Sequence, residues 1–415
     1  MNKAINDKIQ ELFQATPNDI SVCYGRKITD GKYTDELAFV FMVEKKLPLD
    51  QIPEDKILPS TINIEGVTYK TDVIATEEFK LIAAPTCSTP NPTVQNQCYL
   101  YSPFTTASAP NSSRIRPLKG GIQVTSANLA GSVGTLGFLA LDTTTSALVG
   151  VSNNHVLVKN AFFTNERVGN NTTIQNELDD NVYQNGNYIE SDDLIGKVMR
   201  YVPISAVKPN QVDGALIALY SDTVSNAESY LQFGLPTTLP MEFATTTEIN
   251  NALTGNYPLA SSGRTTGAKI SGTACAIAMH GLNTTSYISF QNNGANVTTL
   301  FNQLITFSRV DPTCPYPVYS GDSGSALLAF INGQWKIFGL VFALSGDGML
   351  GVASRIDEVA SQLGIKPWSG IAVPFINVDS KQVKAVYNTS GEKLLNCGGK
   401  VYWQVGNDNN TNYCS

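Results

Sequence analysis

Ser320-Gly321-Asp322-Ser323-Gly324-Ser325-Ala326-Leu327-Leu328 is the stretch on which the reading of the whole chain turns. A serine stands between two glycines, and an apolar run continues as far as Ile331. Glycine tolerates φ > 0 and the close approach of another chain. A tight loop of this kind can aim successive amides, here those of Gly321 and Ser323, at one point where an oxygen gains negative charge. The apolar run then anchors the loop on a buried strand. Taken alone the string also reads as a hairpin turn, because Gly, Asp and Ser cluster in turns.

A serine hydroxyl needs a base to attack at neutral pH, and the base needs a third group to orient it. The chain has two histidines, so the search is short. His155 comes after Val149-Gly150-Val151-Ser152-Asn153-Asn154, where a β-like run turns. His280 ends another apolar run, Ala278-Met279-His280-Gly281. The orienting acid is best sought as a lone carboxylate in apolar surroundings. Asp213 fits, at the head of Val212-Asp213-Gly214-Ala215-Leu216-Ile217-Ala218-Leu219. Burying a carboxylate there is costly unless it is paired.

The chain order is then His155, Asp213, Ser323, one of the orders in which such groups recur. Four segments together resemble a bacterial trypsin-like serine peptidase: Asn153-Asn154-His155-Val156-Leu157, Val212-Asp213-Gly214-Ala215-Leu216, Ser262-Gly263-Arg264-Thr265-Thr266-Gly267 and Gly321-Asp322-Ser323-Gly324-Ser325. More specifically the chain is similar to members of that group with an extra N-terminal domain. The resemblance covers about residues 118 to 366. It implies a mainly β fold of two six-stranded antiparallel barrels, with the site in the cleft between them. It also implies His155, Asp213 and Ser323 as the catalytic set and the Gly321 and Ser323 amides as the oxyanion hole. His280 lies outside the pattern and is read as structural. In some peptidases of this fold a freshly cut N-terminal amine pairs with the acid preceding the serine, here Asp322. The basic run before the domain holds Arg114 and Arg116, but Pro117 blocks cleavage after Arg116.

Composition agrees with a globular β-rich chain. Of 415 residues 42% are hydrophobic and 15% charged, and the 33 Gly and 20 Pro favour turns between strands over helix bundles. The net charge of −7, without basic clusters, argues against a nucleic-acid surface. No apolar run is long enough to span a bilayer. Residues 1–8 lack the apolar core of a signal peptide, so the expected location is the cytoplasm, with non-classical release or lysis left open. The seven cysteines include no Cys-x-x-Cys, so zinc spacing is missing. Cys87 with Cys98, and Cys397 with Cys414, could each close a loop in an oxidising place; free thiols in a reducing one are the alternative. Glu177, Asp179, Asp180, Asp192 and Asp193 lack the alternation of a calcium loop and are read as solvated charge. No metal or cofactor is expected.

The chain divides into four parts. Residues 1–84 form a small α+β unit: a helix carrying Ile5, Ile9, Leu12 and Phe13, strands over 20–28 and 37–43, and a hairpin around Glu65-Gly66. Its expected job is to dock a partner or shield the peptidase; a structural appendage is the alternative. Residues 85–117 have linker composition, rich in Pro, Ser, Thr and Asn. Residues 118–366 are the peptidase unit, closed by a helix with Ile356, Val359, Ala360 and Leu363 on one face and Gly364 as its stop. Residues 367–415 form a β-type extension.

The implied function is hydrolysis of a protein or peptide through an acyl-enzyme. Pro317, Phe342, Ala343, Leu344 and Asp347 are the candidate substrate pocket, with an apolar side chain favoured and a basic one second. The rival is a trypsin-fold protein that cuts only itself or serves as a scaffold. A lipase-type elbow needs Gly-x-Ser-x-Gly, and Gly321-Asp322-Ser323-Gly324-Ser325 lacks that second spacing.

Overall fold

The computed structural model describes residues 3–16, 21–29, 32–81, 111–127, 133–158, 162–163, 174–175, 181–184, 193–220, 232, 234–235, 242–270, 276–292, 295–310, 317–368, 393–397 and 400–404. Helix α1 spans Lys3–Ala15. After it come β1 (Ser21–Thr29), β2 (Lys32–Val43), β3 (Thr61–Ile64), β4 (Val67–Ala75) and β5 (Phe79–Leu81). The next group is β6 (Ile122–Ser126), β7 (Gly134–Leu136), β8 (Phe138–Asp142), β9 (Leu148–Ser152) and the short helix α2 (Asn154–Leu157). Then come β10 (Phe162–Phe163), β11 (Ile174–Gln175), β12 (Asn181–Tyr183), β13 (Leu194–Tyr201), β14 (Ile204–Ser205) and β15 (Ala215–Leu219). Helices α3 (Thr246–Asn250) and α4 (Ala252–Gly255) lead into β16 (Leu259–Gly263), β17 (Gly267–Ile270), β18 (Ile277–Asn292) and β19 (Ala295–Arg309). Past the serine loop are β20 (Ala326–Ile331), β21 (Gln334–Ser345), β22 (Leu350–Arg355), α5 (Ile356–Leu363) and β23 (Ile365–Pro367). A last hairpin is β24 (Lys393–Cys397) with β25 (Lys400–Gln404).

The chain is mainly β, and two large sheets carry it. One runs β23-β8-β9-β15-β13-β12-β6-β7. The other contains β16-β20-β21-β22-β19-β18, and a pairing of Leu259 with Ile277 returns this path to its start. Beyond β18 the same sheet continues through β1, β2, β4 and β3. The N-terminal strands therefore keep no sheet of their own: β1 adds to the edge of β18, with Gly25 opposite Gly281. Helix α1 buries Ile5, Ile9 and Phe13 on this extension, the i, i+4, i+8 stripe expected of an amphipathic helix. The β3–β4 turn places Glu65 and Gly66 at φ of 52° and 83°.

One apolar cluster joins the two sheets. Phe138, Val149, Val151 and Leu216 from the first pack with Leu327, Leu328, Leu340 and Val341 from the second. Its closure is α5, which buries Ile356, Val359 and Leu363 and ends at Gly364 in the left-handed region. Arg200 donates to the Leu363 carbonyl at 2.5 Å and pairs with Asp142, placing a cation at the helix C-terminus.

Three sequence readings need correction or restriction. Asp193 is buried and pairs with Arg114 at 3.5 Å, so it is no solvated loop charge; the other four carboxylates of that group lie outside the described residues. Cys23 is a buried free thiol, while both expected cysteine loops involve residues outside the described ones. The linker expected to reach residue 117 is packed by residue 111: the buried Asn111 side chain donates to the Gly121 and Gly263 carbonyls. Among the described residues no helix is long and apolar enough to cross a membrane.

Candidate active site

His155 is set by the way β9 ends. Asn153 caps α2 in an extended conformation, and its side chain donates to the Asp213 carbonyl at 2.6 Å. Asn154 donates to the Val202 carbonyl at 2.7 Å. Two successive asparagines thus tie the start of α2 to the residue after β13 and to the segment leading into β15, and the imidazole arrives beside Asp213. The Asp213 carboxylate accepts from the His155 amide at 3.2 Å and lies 2.5 Å from its Nδ1. His155 Nε2 lies 2.9 Å from Ser323 Oγ. An ionised carboxylate only accepts, so the proton between Asp213 and His155 belongs on Nδ1. Nε2 is then left with a lone pair facing the serine hydroxyl. The His155 side chain is 5% exposed and that of Asp213 0%, so bulk water does little to screen the Asp213 carboxylate from the imidazole.

The serine loop is held from all sides. Gly321 and Gly324 sit at φ of 94° and 91°, conformations only glycine adopts cheaply. There is also no room for a side chain: a Cβ on Gly324 would lie 2.2 Å from the Thr135 carbonyl oxygen. Thr135 bridges the loop to the first sheet. Its amide donates to the Ser323 carbonyl at 2.7 Å and its hydroxyl to the Gly321 carbonyl at 2.8 Å. Ser152, next to the histidine turn, donates to the Thr135 carbonyl at 2.7 Å. The loop and the histidine turn are therefore linked through one threonine.

Asp322 is buried and heavily bonded. Its carboxylate accepts from the amides of Thr265, Thr266 and Tyr319 at 2.9, 3.1 and 2.9 Å, and from the Thr266 hydroxyl at 2.7 Å. Lys269 Nζ stands 3.6 Å away, itself almost wholly buried. Burial lowers the Lys269 pKa, and the neighbouring Asp322 works against that fall. Arg264 behaves the same way: burial lowers its pKa and Asp322 opposes it. The Ser262–Gly267 segment is thus the partner of the serine loop. A cut N-terminal amine is not needed to satisfy this acid, because donors from the same chain already surround it. Lys269 and Thr135 were not singled out from sequence. A lone lysine beside an apolar alternation is a weak signal for the first, and nothing local marks the second.

The five candidate pocket residues have different surroundings. Phe342 is fully buried and stacks against Phe301 at 5.1 Å between ring centroids. Ala343 lies in the same apolar cluster, whereas Leu344 belongs to the one joining the sheets. Pro317 is buried at the start of the loop leading to Ser320. Asp347 accepts from the Ser345 hydroxyl at 2.5 Å and the Met349 amide at 3.0 Å, which makes it the brace of the β21–β22 turn. His280 is fully buried, its Nδ1 3.0 Å from the Tyr33 hydroxyl, on the seam with the N-terminal strands.

No family model matches this chain, and no curated protein matches it. Among solved structures it is similar to a glutamic acid specific serine protease, with 14% identity over 60% of this chain and 100% of that one, at a TM-score of 0.36. It is also similar to Thermobifida fusca Protease A, with 15% identity over 61% of this chain and 100% of that one, at 0.35. A third match is Cellulomonas bogoriensis chymotrypsin, with 14% identity over 61% of this chain and 100% of that one, at 0.34. At such values the likeness is a distant one of fold, and it says nothing of the reaction this chain performs.

Proposed function

We propose that this chain is a serine endopeptidase working through an acyl-enzyme. In this reading Ser323 is the nucleophile, His155 the base and then the acid, and Asp213 the group that fixes the imidazole. In this reading the two sheets, of eight and twelve strands rather than the six each that were expected, take the part of the two barrels, with base and acid from one and nucleophile from the other. The observation that carries the reading is the run of contacts from Asp213 through His155 to Ser323, at 2.5 and 2.9 Å.

As Ser323 Oγ attacks a peptide carbonyl, its proton passes to His155 Nε2. The imidazolium that forms is stabilised by Asp213, already bonded at Nδ1. The carbonyl oxygen takes up the negative charge within reach of the Gly321 and Ser323 amides, and Nε2 then protonates the leaving amine. Water repeats the sequence on the acyl-enzyme to release the acid. In this reading the acyl-side residue is apolar rather than basic, because Asp347, the one carboxylate among the candidate pocket residues, is engaged in its own turn. A fluorogenic peptide library with a varied acyl-side residue tests that preference.

The decisive experiment pairs active-site labelling with mutation. A fluorophosphonate should label the parent chain at Ser323. Ser323→Ala should lose both labelling and peptide hydrolysis while unfolding at the same denaturant concentration. Undiminished hydrolysis by Ser323→Ala would rule this serine out. A clipped chain by intact mass, without turnover of added peptide, would instead mean a protein that cuts only itself.

A further inference from the structure

Strand β21 has two edges. One is taken by β22, which pairs Val352 with Ala343 and Gly351 with Leu344. The other is taken by β20 as far as Leu340, opposite Ala326. The serine loop continues along that second edge: Val341 donates to the Ser325 carbonyl at 2.9 Å and accepts from the Gly324 amide at 2.8 Å. Beyond Val341 the second edge would be open. It is filled by β5, antiparallel, with Leu81 opposite Ala343, Lys80 opposite Leu344 and Phe79 opposite Ser345. The Gly346 amide adds a bond to the Glu78 carbonyl at 2.9 Å.

Direction matters as much as place. β5 and β20 both run antiparallel to β21 on one edge, so β5 points its C-terminal end at the serine loop. Leu81 stands two strand positions from the residue that holds Gly324, about 7 Å along the edge. On the hydrolase reading, a peptide that adds along this edge antiparallel to β21 runs with its acyl side leading toward Ser323, since an open sheet edge is where an extended peptide gains backbone bonds. β5 has that polarity. Its other edge pairs in parallel with Ile288 and Ser289 of β18, so the segment is gripped on both sides. Phe79 and Leu81 sink into the cluster containing Ile288, Phe301 and Phe342, while Lys80 is half-buried on the opposite face.

We infer that Phe79–Leu81 is an intramolecular shield: it occupies the edge of β21 at Ala343–Ser345, where on the hydrolase reading the acyl side of an extended peptide would add, and so closes the site to other peptides. This rests on the hydrolase reading above. It gives the N-terminal unit a shielding role, performed by three residues at its end. The rest of the unit stays attached through β1 and β18, so displacing β5 need not detach it.

Lys80→Pro tests this, because proline has no amide to give the ladder and Lys80 contributes little to the core. Two rates are compared with those of the parent chain: labelling of Ser323 by a small fluorophosphonate, which does not use the edge, and kcat/KM for a long fluorogenic peptide containing Phe-Lys-Leu. The expected result is a rise in kcat/KM of about tenfold or more with the labelling rate unchanged within about twofold. Unchanged or lower kcat/KM with normal labelling overturns the shielding role and leaves the hydrolase reading standing. Absence of labelling in both chains removes the hydrolase reading, and this one with it. A second variant forms its bond only from the native pairing: Leu81→Cys with Ala343→Cys, opposite residues close enough for a disulfide. Oxidation should lower peptide turnover below that of the parent, and dithiothreitol should restore it. Full turnover with the crosslink in place would overturn the proposal.

Discussion

Asp213 accepts from both the amide and the ring of His155, and this fixes which imidazole nitrogen faces the serine. An asparagine at this position can turn its NH2 toward Nδ1, which moves the ring proton to Nε2 and leaves the serine without a base. Asp213→Asn is therefore expected to lower kcat by about four orders of magnitude, with KM little changed. Steady-state kinetics on one peptide substrate measure this, and a loss below about tenfold would take Asp213 out of the mechanism. The same change should leave the fold intact, since the side chain keeps its size and an acceptor for the His155 amide.

Between elements, the closest approach is where β1 meets β18. Gly25 lies opposite Gly281, and a Cβ on Gly25 would stand 2.4 Å from the His280 carbonyl oxygen. That neighbour is backbone, so it cannot swing aside. Gly25→Val is expected to cost about 1–3 kcal/mol by overpacking the seam. The loss should appear as a lower urea midpoint and as faster proteolysis of residues 21–43, while α5 and the strands around it stay protected. A variant as resistant as the parent would show that the N-terminal strands are held mainly by contacts elsewhere, such as α1 or β5. This seam also explains why the N-terminal segment reads as a unit in sequence yet shares a sheet with β18 and its neighbours. Its local periodicities are correct for α1, β1 and β2, but the edge to which β1 adds is formed by residues 281–286, remote along the chain.

At the scale of the whole molecule, acid should loosen the attachment of the N-terminal unit. His280 is buried between that unit and the second sheet, and burial lowers its pKa from 6.5 to about 4. Its neighbours on the seam are neutral at working pH: burial raises both Tyr33 and Cys23 to about 12. The unfolded chain binds a proton at this residue near pH 6.5, the folded one only near 4. Between those values the unfolded state holds more protons, so stability falls as pH falls, by about 3 kcal/mol in all, and no further below about 4. Urea unfolding at pH 7.5 and 4.5 measures the loss. Since carboxylates titrate in the same window, the informative quantity is the difference between the parent and His280→Asn, whose stability should change less with pH. Equal pH dependence in both would remove His280 from the account.

Sequence by itself determined the local pieces: a β-rich chain, the turn at Glu65-Gly66, the helix stopped by Gly364, and a serine in a glycine-rich loop with only two histidines in the chain to serve it. These are written in residues near one another, through periodicity, glycine placement and composition. Tertiary structure decided what depends on distant residues meeting. It set the 2.9 Å approach of His155 to Ser323 across 168 positions, the filling of Asp322 by Lys269 and the Thr265–Thr266 amides, and the partners of β1 and β5. Strand pairing uses backbone groups that every residue carries, so no side-chain signal announces which edge a strand will join. That is why the occupant of the β21 edge could be read only from the folded chain.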